Sequence, residues 1–235
     1  MTADATDAAD GPRTSARRER TRERLLDAAL ALFAEHGVEA TSIEAICDGA
    51  GFTRGAFYSN FEDKAALIDA LSAREQDRAV EQLRAAILNA PWAGETCDGA
   101  DVDAATIGRI VTTLLRALTL DPRWGVVNSE LRLRAMRDPR AAAAHAARET
   151  AVMDAIADEI SALMARIGVI SLIPEGVFIR LLISGFQTEL ERALLTHASQ
   201  AEDDAATTGD PFAQAAESAA SWLPTVIDHL TRLEG

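Results

Sequence analysis

The chain has 235 residues, 48% apolar but only 5% aromatic, so its core must come mainly from Ala, Leu, Ile and Val, which favours close helix packing. Its net charge is −14; residues 1–64 hold 8 Lys and Arg against 12 Asp and Glu, and the remainder carries −10. No half of the molecule is therefore basic, and any nucleic-acid contact must come from a local cluster, with the acidic body facing away. Residues 1–16 are small and polar and read as a disordered arm. From Arg17 to Arg24, Arg and Glu alternate at spacings that support a solvated helix start. Leu25, Ala28, Ala29, Leu32 and Phe33 then form one apolar face, and Gly37 supplies the left-handed position that ends the helix. Thr41 with Glu44 three residues on predicts a capping box for a second helix, whose Ile43, Ile46 and Cys47 face inward. After the Ala50-Gly51-Phe52 turn, Thr53 caps a third helix, with Phe52 and Phe57 placed as a hydrophobic staple. Asp63 caps a long fourth helix carrying Leu67, Ile68, Leu71, Val80, Leu83 and Ile87.

Further helices are expected at 104–120, 126–136, 139–167, 174–199 and 211–233, separated by X-Pro steps at Asp121-Pro122, Asp138-Pro139, Ile173-Pro174 and Asp210-Pro211. Pro224 should kink or split the last of them. No alternating strand stands out, and the fold is expected to be all-α. Cys47 and Cys97 are too few and too far apart to suggest a disulfide framework or a zinc site, so reduced thiols and no metal or cofactor are expected. No stretch approaches the roughly 20 apolar residues of a membrane span, and the acidic opening is not a secretory signal. A cytoplasmic protein is expected.

Residues 21–71 resemble the DNA-binding domain of the TetR family of transcriptional regulators. The resemblance is carried by Leu26, Ala29, Phe33 and Gly37, by Thr41-Ser42-Ile43 and Ile46, and by the run from Ala50 to Tyr58. Asn60-Phe61, Lys64 and Leu67 complete it. Asn60 stands where the family commonly has His, Ala65 where an acidic residue often follows the lysine, and Cys47 where Ala is usual. The resemblance implies a three-helix helix-turn-helix domain at 17–65 and a helical effector-binding and dimerisation domain at 66–235.

A recognition helix needs polar side chains near its amino terminus to enter the major groove. Thr53, Arg54, Gly55, Ala56 and Ser59 fit, with Arg54 suited to a bidentate contact with guanine and Gly55 keeping the surface low. Tyr58 can reach a phosphate or a thymine methyl. Thr41 and Ser42 sit at a helix start that favours a phosphate, and Lys64, the only lysine, opens the fourth helix. The resemblance implies phosphate contacts for Lys64 and Tyr58, and Asn60 joins them as a candidate. Arg17, Arg18 and Arg20 fit either a solvated helix end or a DNA-binding arm. Trp92, Trp124, Met136, Met153 and Phe178 are candidates to line an apolar effector cavity. The resemblance implies dimerisation through the last two long helices, for which Leu182, Gly185, Phe186, Leu190 and Trp222 are candidates. The expected protein is a non-enzymatic, ligand-responsive regulator, a repressor that binds a pseudo-palindromic double-stranded operator as a homodimer and is released by a small apolar effector. The alternative is a helical small-molecule-binding protein or enzyme with a non-functional DNA head.

Overall fold

A computed structural model describes residues 11–89, 110–111, 113–114, 121–200 and 211–233. Among them the elements run α1 (Gly11–His36), α2 (Ile43–Ala50), α3 (Arg54–Tyr58), α4 (Lys64–Asn89), α5 (Pro122–Ala135) and α6 (Pro139–Arg166). They continue with β1 (Val169–Ser171), α7 (Glu175–Gln200), α8 (Pro211–Leu230) and β2 (Thr231–Leu233). The fold is all-α, as the periodicity predicts. Most of the helix expected at 104–120 lies outside the described residues, as do Trp92, Cys97 and residues 1–10.

Side-chain caps set the helix starts. Asp63 Oδ1 accepts from Ala66 N–H at 2.7 Å, Asp121 Oδ1 from Arg123 N–H at 3.0 Å and Asp138 Oδ1 from Arg140 N–H at 2.9 Å. In the last two the following proline takes the first helical position, where its missing N–H costs nothing. The Asp-Pro step at 121 therefore opens α5 four residues before the expected start at 126. Pro12 likewise falls in the first turn of α1, which begins at Gly11; residues 11–16 are helical rather than part of an arm. Pro224 lies inside α8 without splitting it. Gly37 (φ +86°) ends α1, and Gly51 (φ +71°) ends α2, both in the left-handed region.

The described residues fall into two compact units. The first joins the chain up to Arg74 with Val126–Leu133, around a core of Leu25, Leu26, Phe33, Ile46, Phe57 and Leu67. Within this unit two polar ties hold later segments to α1 and the loop after it. Arg74 pairs with Glu23 at 3.2 Å and Asp27 at 2.8 Å. The Glu130 carboxylate accepts the Val38 N–H at 2.9 Å through both oxygens. The second unit packs α6, α7 and α8 around Ile160, Leu163, Phe178, Ile183 and Leu223. Gly185 on α7 lets the Trp222 indole of α8 lie flush: a Cβ there would stand 2.5 Å from Trp222 Cη2.

One feature departs from the expected absence of strands. Gly168 (φ +66°) turns the chain out of α6, and β1 pairs antiparallel with β2 in the register Val169↔Leu233, Ile170↔Arg232, Ser171↔Thr231. Three residues show too little alternation to be read as a strand, and the pairing depends on a partner 60 to 64 positions away.

Candidate nucleic-acid interface and effector cavity

The inward side of α3 is Phe57, fully buried with Phe61 at 5.6 Å and the edge of Tyr58 at 5.4 Å between ring centroids. That anchor leaves Thr53, Arg54, Gly55, Tyr58 and Ser59 exposed on the other side, with Ala56 half-buried. Thr53 caps α3 by accepting from Ala56 N–H at 3.3 Å. Ser59 and Asn60 close its carboxyl end, the hydroxyl and the amide each donating to Ala56 O at 2.8 Å. Asn60 is thus turned onto the helix end, and its Oδ1 is buried with no donor.

The helix-turn-helix is also tied to α1. Arg24 donates to Ala50 O at 2.8 Å and lies 4.7 Å from the Phe52 ring, Arg18 donates to Ser59 O at 3.0 Å, and Arg22 covers Phe61 at 5.1 Å. Cations at helix carboxyl ends complement the helix dipole.

The cap of α2 is Ser42, whose Oγ accepts from Ala45 N–H at 3.1 Å, not Thr41. Thr41 is 2% exposed and its hydroxyl donates to Gly37 O at 2.8 Å, so that side chain locks the α1–α2 loop and does not face outward. Glu44, freed from the expected capping box, pairs with Arg54 at 2.7 Å. The Arg54 guanidinium also donates to the Tyr58 hydroxyl at 3.4 Å. Both contacts, the Tyr58 bond first, hold the arginine pKa above its ordinary value. Lys64 points its ammonium at Thr41 O, 2.7 Å away, and at Glu39 O, 3.4 Å away. In this conformation it fastens the start of α4 to the loop before α2. Burial, with Asp48 and Glu44 acting in the same direction and Arg54 against them, pushes the Cys47 thiol up.

The second unit holds a cavity of about 60 Å³ whose lining is apolar except for Thr231. Phe178, a candidate from the sequence, lines it together with Leu163, Met164, Leu182, Ile183 and Ile227. Three other candidates fall among the described residues and are not part of this lining. Trp124 is buried away from it, Met153 packs against the core from outside, and Met136 is 75% exposed. The dimerisation candidates all make contacts within the protomer. Leu182 and Phe186 are buried within the protomer, Leu190 and Trp222 pack against its core, and Gly185 accommodates Trp222. What α7 leaves exposed is Val177, Leu181 and Leu195. Leu181 and Leu182 are adjacent and both fit an apolar face, so the helical period alone does not say which turns outward.

These features define an all-helical protein with an amino-terminal helix-turn-helix and an apolar cavity in its helical body. Residues 25–71 match the model of the bacterial regulatory proteins of the tetR family. The chain is 46% identical over 57 residues to the "Probable acrEF/envCD operon repressor" of Escherichia coli K12, covering 24% of this chain and 26% of that protein. It is 39% identical over 64 residues to the "HTH-type transcriptional regulator UidR" of the same strain, covering 27% and 33% respectively. The matches thus span about a quarter to a third of those relatives. Among solved structures, the fold resembles "fatty acid degradation regulator FadR" from Bacillus halodurans, with a TM-score of 0.62 and 15% identity over 92% of this chain and 97% of that one. It also resembles Salmonella enterica GusR, with a TM-score of 0.56 and 22% identity over 90% and 95%. The likeness to the tetR family is carried by residues 25–71, and the solved structures extend it over the rest of the chain as a likeness of fold.

Proposed function

We propose that the protein is a transcriptional regulator that binds a pseudo-palindromic operator as a homodimer through α3. The observation that carries this reading is the division of α3: Phe57 fixes it in the core while Thr53, Arg54, Gly55 and Tyr58 remain exposed on one side. That is the arrangement a helix needs to enter a major groove. Arg54 reads a base edge, exchanging Glu44 for guanine. The exchange is cheap because exposed ion pairs contribute only about 0–1 kcal/mol. Ser42, Tyr58 and Lys64 take phosphates, the lysine after leaving its carbonyl partners, and Thr53, Ala56 and Ser59 border the groove. The repressing state holds two copies of α3 at operator spacing. A small uncharged apolar molecule in the cavity favours a second arrangement and releases the DNA, to the extent that it binds that state more tightly. The lining supports this ligand class because it offers no charged side chain. Among the described residues no helix is long and apolar enough to cross a membrane.

The test is fluorescence anisotropy on DNA from the region upstream of the protein's own gene against a scrambled duplex, with wild type and Arg54→Ala. The expected result is preferential binding to the upstream duplex, reduced by about 1–3 kcal/mol in the variant, with the fold intact. Equal affinity of both proteins for both duplexes would remove the reading.

A further inference from the structure

We propose that the amino-terminal turns of α1 form a second DNA-contacting element, in which Arg17 and Arg20 hold backbone phosphates beside the recognition helix. This rests on the DNA-binding reading above. Five arginines lie between residues 17 and 24, and the structure sorts them into two jobs. Arg18, Arg22 and Arg24 fasten α1 to the helix-turn-helix, at Ser59 O, over Phe61, and at Ala50 O. Arg17 and Arg20 make no such tie. Both are exposed, and Arg20 makes only a local bond, from Nε to Ala16 O at 3.2 Å.

Their position follows from the helix period. Residues 17, 20 and 24 are spaced three and four apart and share one row. Arg24 sits against the turn between α2 and α3, so the row runs from that turn toward the amino end of α1. Glu19 is two positions from Arg17 and one from Arg20, spacings that do not face one another on a helix, and Glu23 is held by Arg74 at 3.2 Å.

Charge complementarity argues the occupant. A chain of net charge −14 approaches DNA only through a local positive surface. Arg54 is paired with Glu44, and Lys64 with backbone carbonyls. Among the described side chains beside the helix-turn-helix, Arg17 and Arg20 are exposed guanidiniums tied to no other element, Arg20 having only its bond to Ala16 O within α1. A guanidinium matches a phosphate with two parallel hydrogen bonds. Contacts of this kind add affinity and register without sequence preference.

The experiment compares the full-length wild type with Arg17→Gln/Arg20→Gln on the upstream and scrambled duplexes across a potassium chloride series. Thermal melting of both proteins confirms an unchanged fold. The expected result is weaker binding to both duplexes by the same factor, with their ratio preserved. The slope of log affinity against log salt should become shallower by about 0.9 per arginine, or about 3.6 for the four in a dimer. Arg17→Lys/Arg20→Lys retains the slope. An unchanged slope in the glutamine variant overturns the proposal, as does a loss confined to the upstream duplex, which would make these residues base readers. If the folded wild type binds neither duplex, the DNA-binding reading falls and this proposal falls with it. If the wild type binds and the variant matches it, only this proposal falls.

Discussion

At position 55 the smallest residue lies on the exposed side of α3, which the proposed function turns toward the DNA. A Cβ there would meet only Thr53 Oγ1, at 3.7 Å, an ordinary contact. Alanine in a helix is favoured over glycine by roughly 0.5–1 kcal/mol, so Gly55→Ala should melt no lower than the wild type. Its DNA affinity should fall because the added methyl stands where the DNA approaches. Circular dichroism melting paired with anisotropy checks both halves; unchanged affinity would place the groove elsewhere. Gly55 and Arg54 stand out in the sequence as a glycine and one long donor beside a helix cap, and the structure leaves both exposed. The cap of α2 does not stand out in this way. Thr41 and Ser42 are adjacent and equally good caps, and local sequence does not choose between them. The choice is made by α1, whose terminal Gly37 carbonyl takes the Thr41 hydroxyl. Ser42→Ala should therefore cost about 1 kcal/mol by loss of a cap. Thr41→Val should also cost stability, by removing a buried donor to Gly37 O, and chemical denaturation of both variants measures the two effects.

Among the elements, α7 and α8 meet through one small residue. The contact of Gly185 with Trp222 leaves no room for a methyl, since Cζ2 as well as Cη2 of the indole would stand within 2.9 Å of it. Gly185→Ala should lower stability by about 1–3 kcal/mol through overpacking, and adding Trp222→Phe should recover part of the loss. If Gly185→Ala melts with the wild type, the close crossing is not as described. From the sequence Gly185 is a candidate for dimerisation, but whether the helix it meets belongs to the same chain or to a second copy is a tertiary fact the period does not carry. The start of α5 adds a pH dependence. Hydrogen bonding to the Arg123 side chain, and to its backbone N–H, holds the Asp121 carboxyl below its ordinary range despite partial burial. A carboxylate whose folded pKa lies below its unfolded value contributes stability above the unfolded pKa, and that contribution disappears as pH falls through the folded one. Wild type should therefore exceed Asp121→Asn in stability at neutral pH and converge with it on acidification, as urea titrations at a series of pH values would show. Asp-Pro steps at 121 and 138 read from sequence as breaks, and the structure shows them as helix openings. Both readings follow from one proline, which resists continuing a preceding helix and suits the first turn of the next.

For the whole molecule, the apolar residues that α7 leaves at the surface bear on the homodimer of the proposed function. In the protomer Val177, Leu181 and Leu195 remain 49%, 51% and 73% exposed. Positions 177 and 181 are one helical turn apart, and 195 falls two heptads after 181, so the three share a face. A row of large apolar side chains left in water is unfavourable by roughly 25 cal/mol for each Å² that a partner would cover. Covering it with the same row of a second copy satisfies the self-complementarity of a two-fold interface. Leu181→Glu places two like charges in that interface while changing a position that is already half exposed in the protomer. Its helical content should match the wild type by circular dichroism. Sedimentation should give half the wild-type mass, and melting should lose its dependence on protein concentration, since association stabilises by mass action. Affinity for a palindromic duplex should drop to that for a half-site, because one α3 reads only one major-groove face. A variant that keeps the wild-type mass would move the interface off this face of α7. One that becomes monomeric yet binds the palindrome undiminished would separate dimerisation from recognition and remove the two-fold operator from the proposed function.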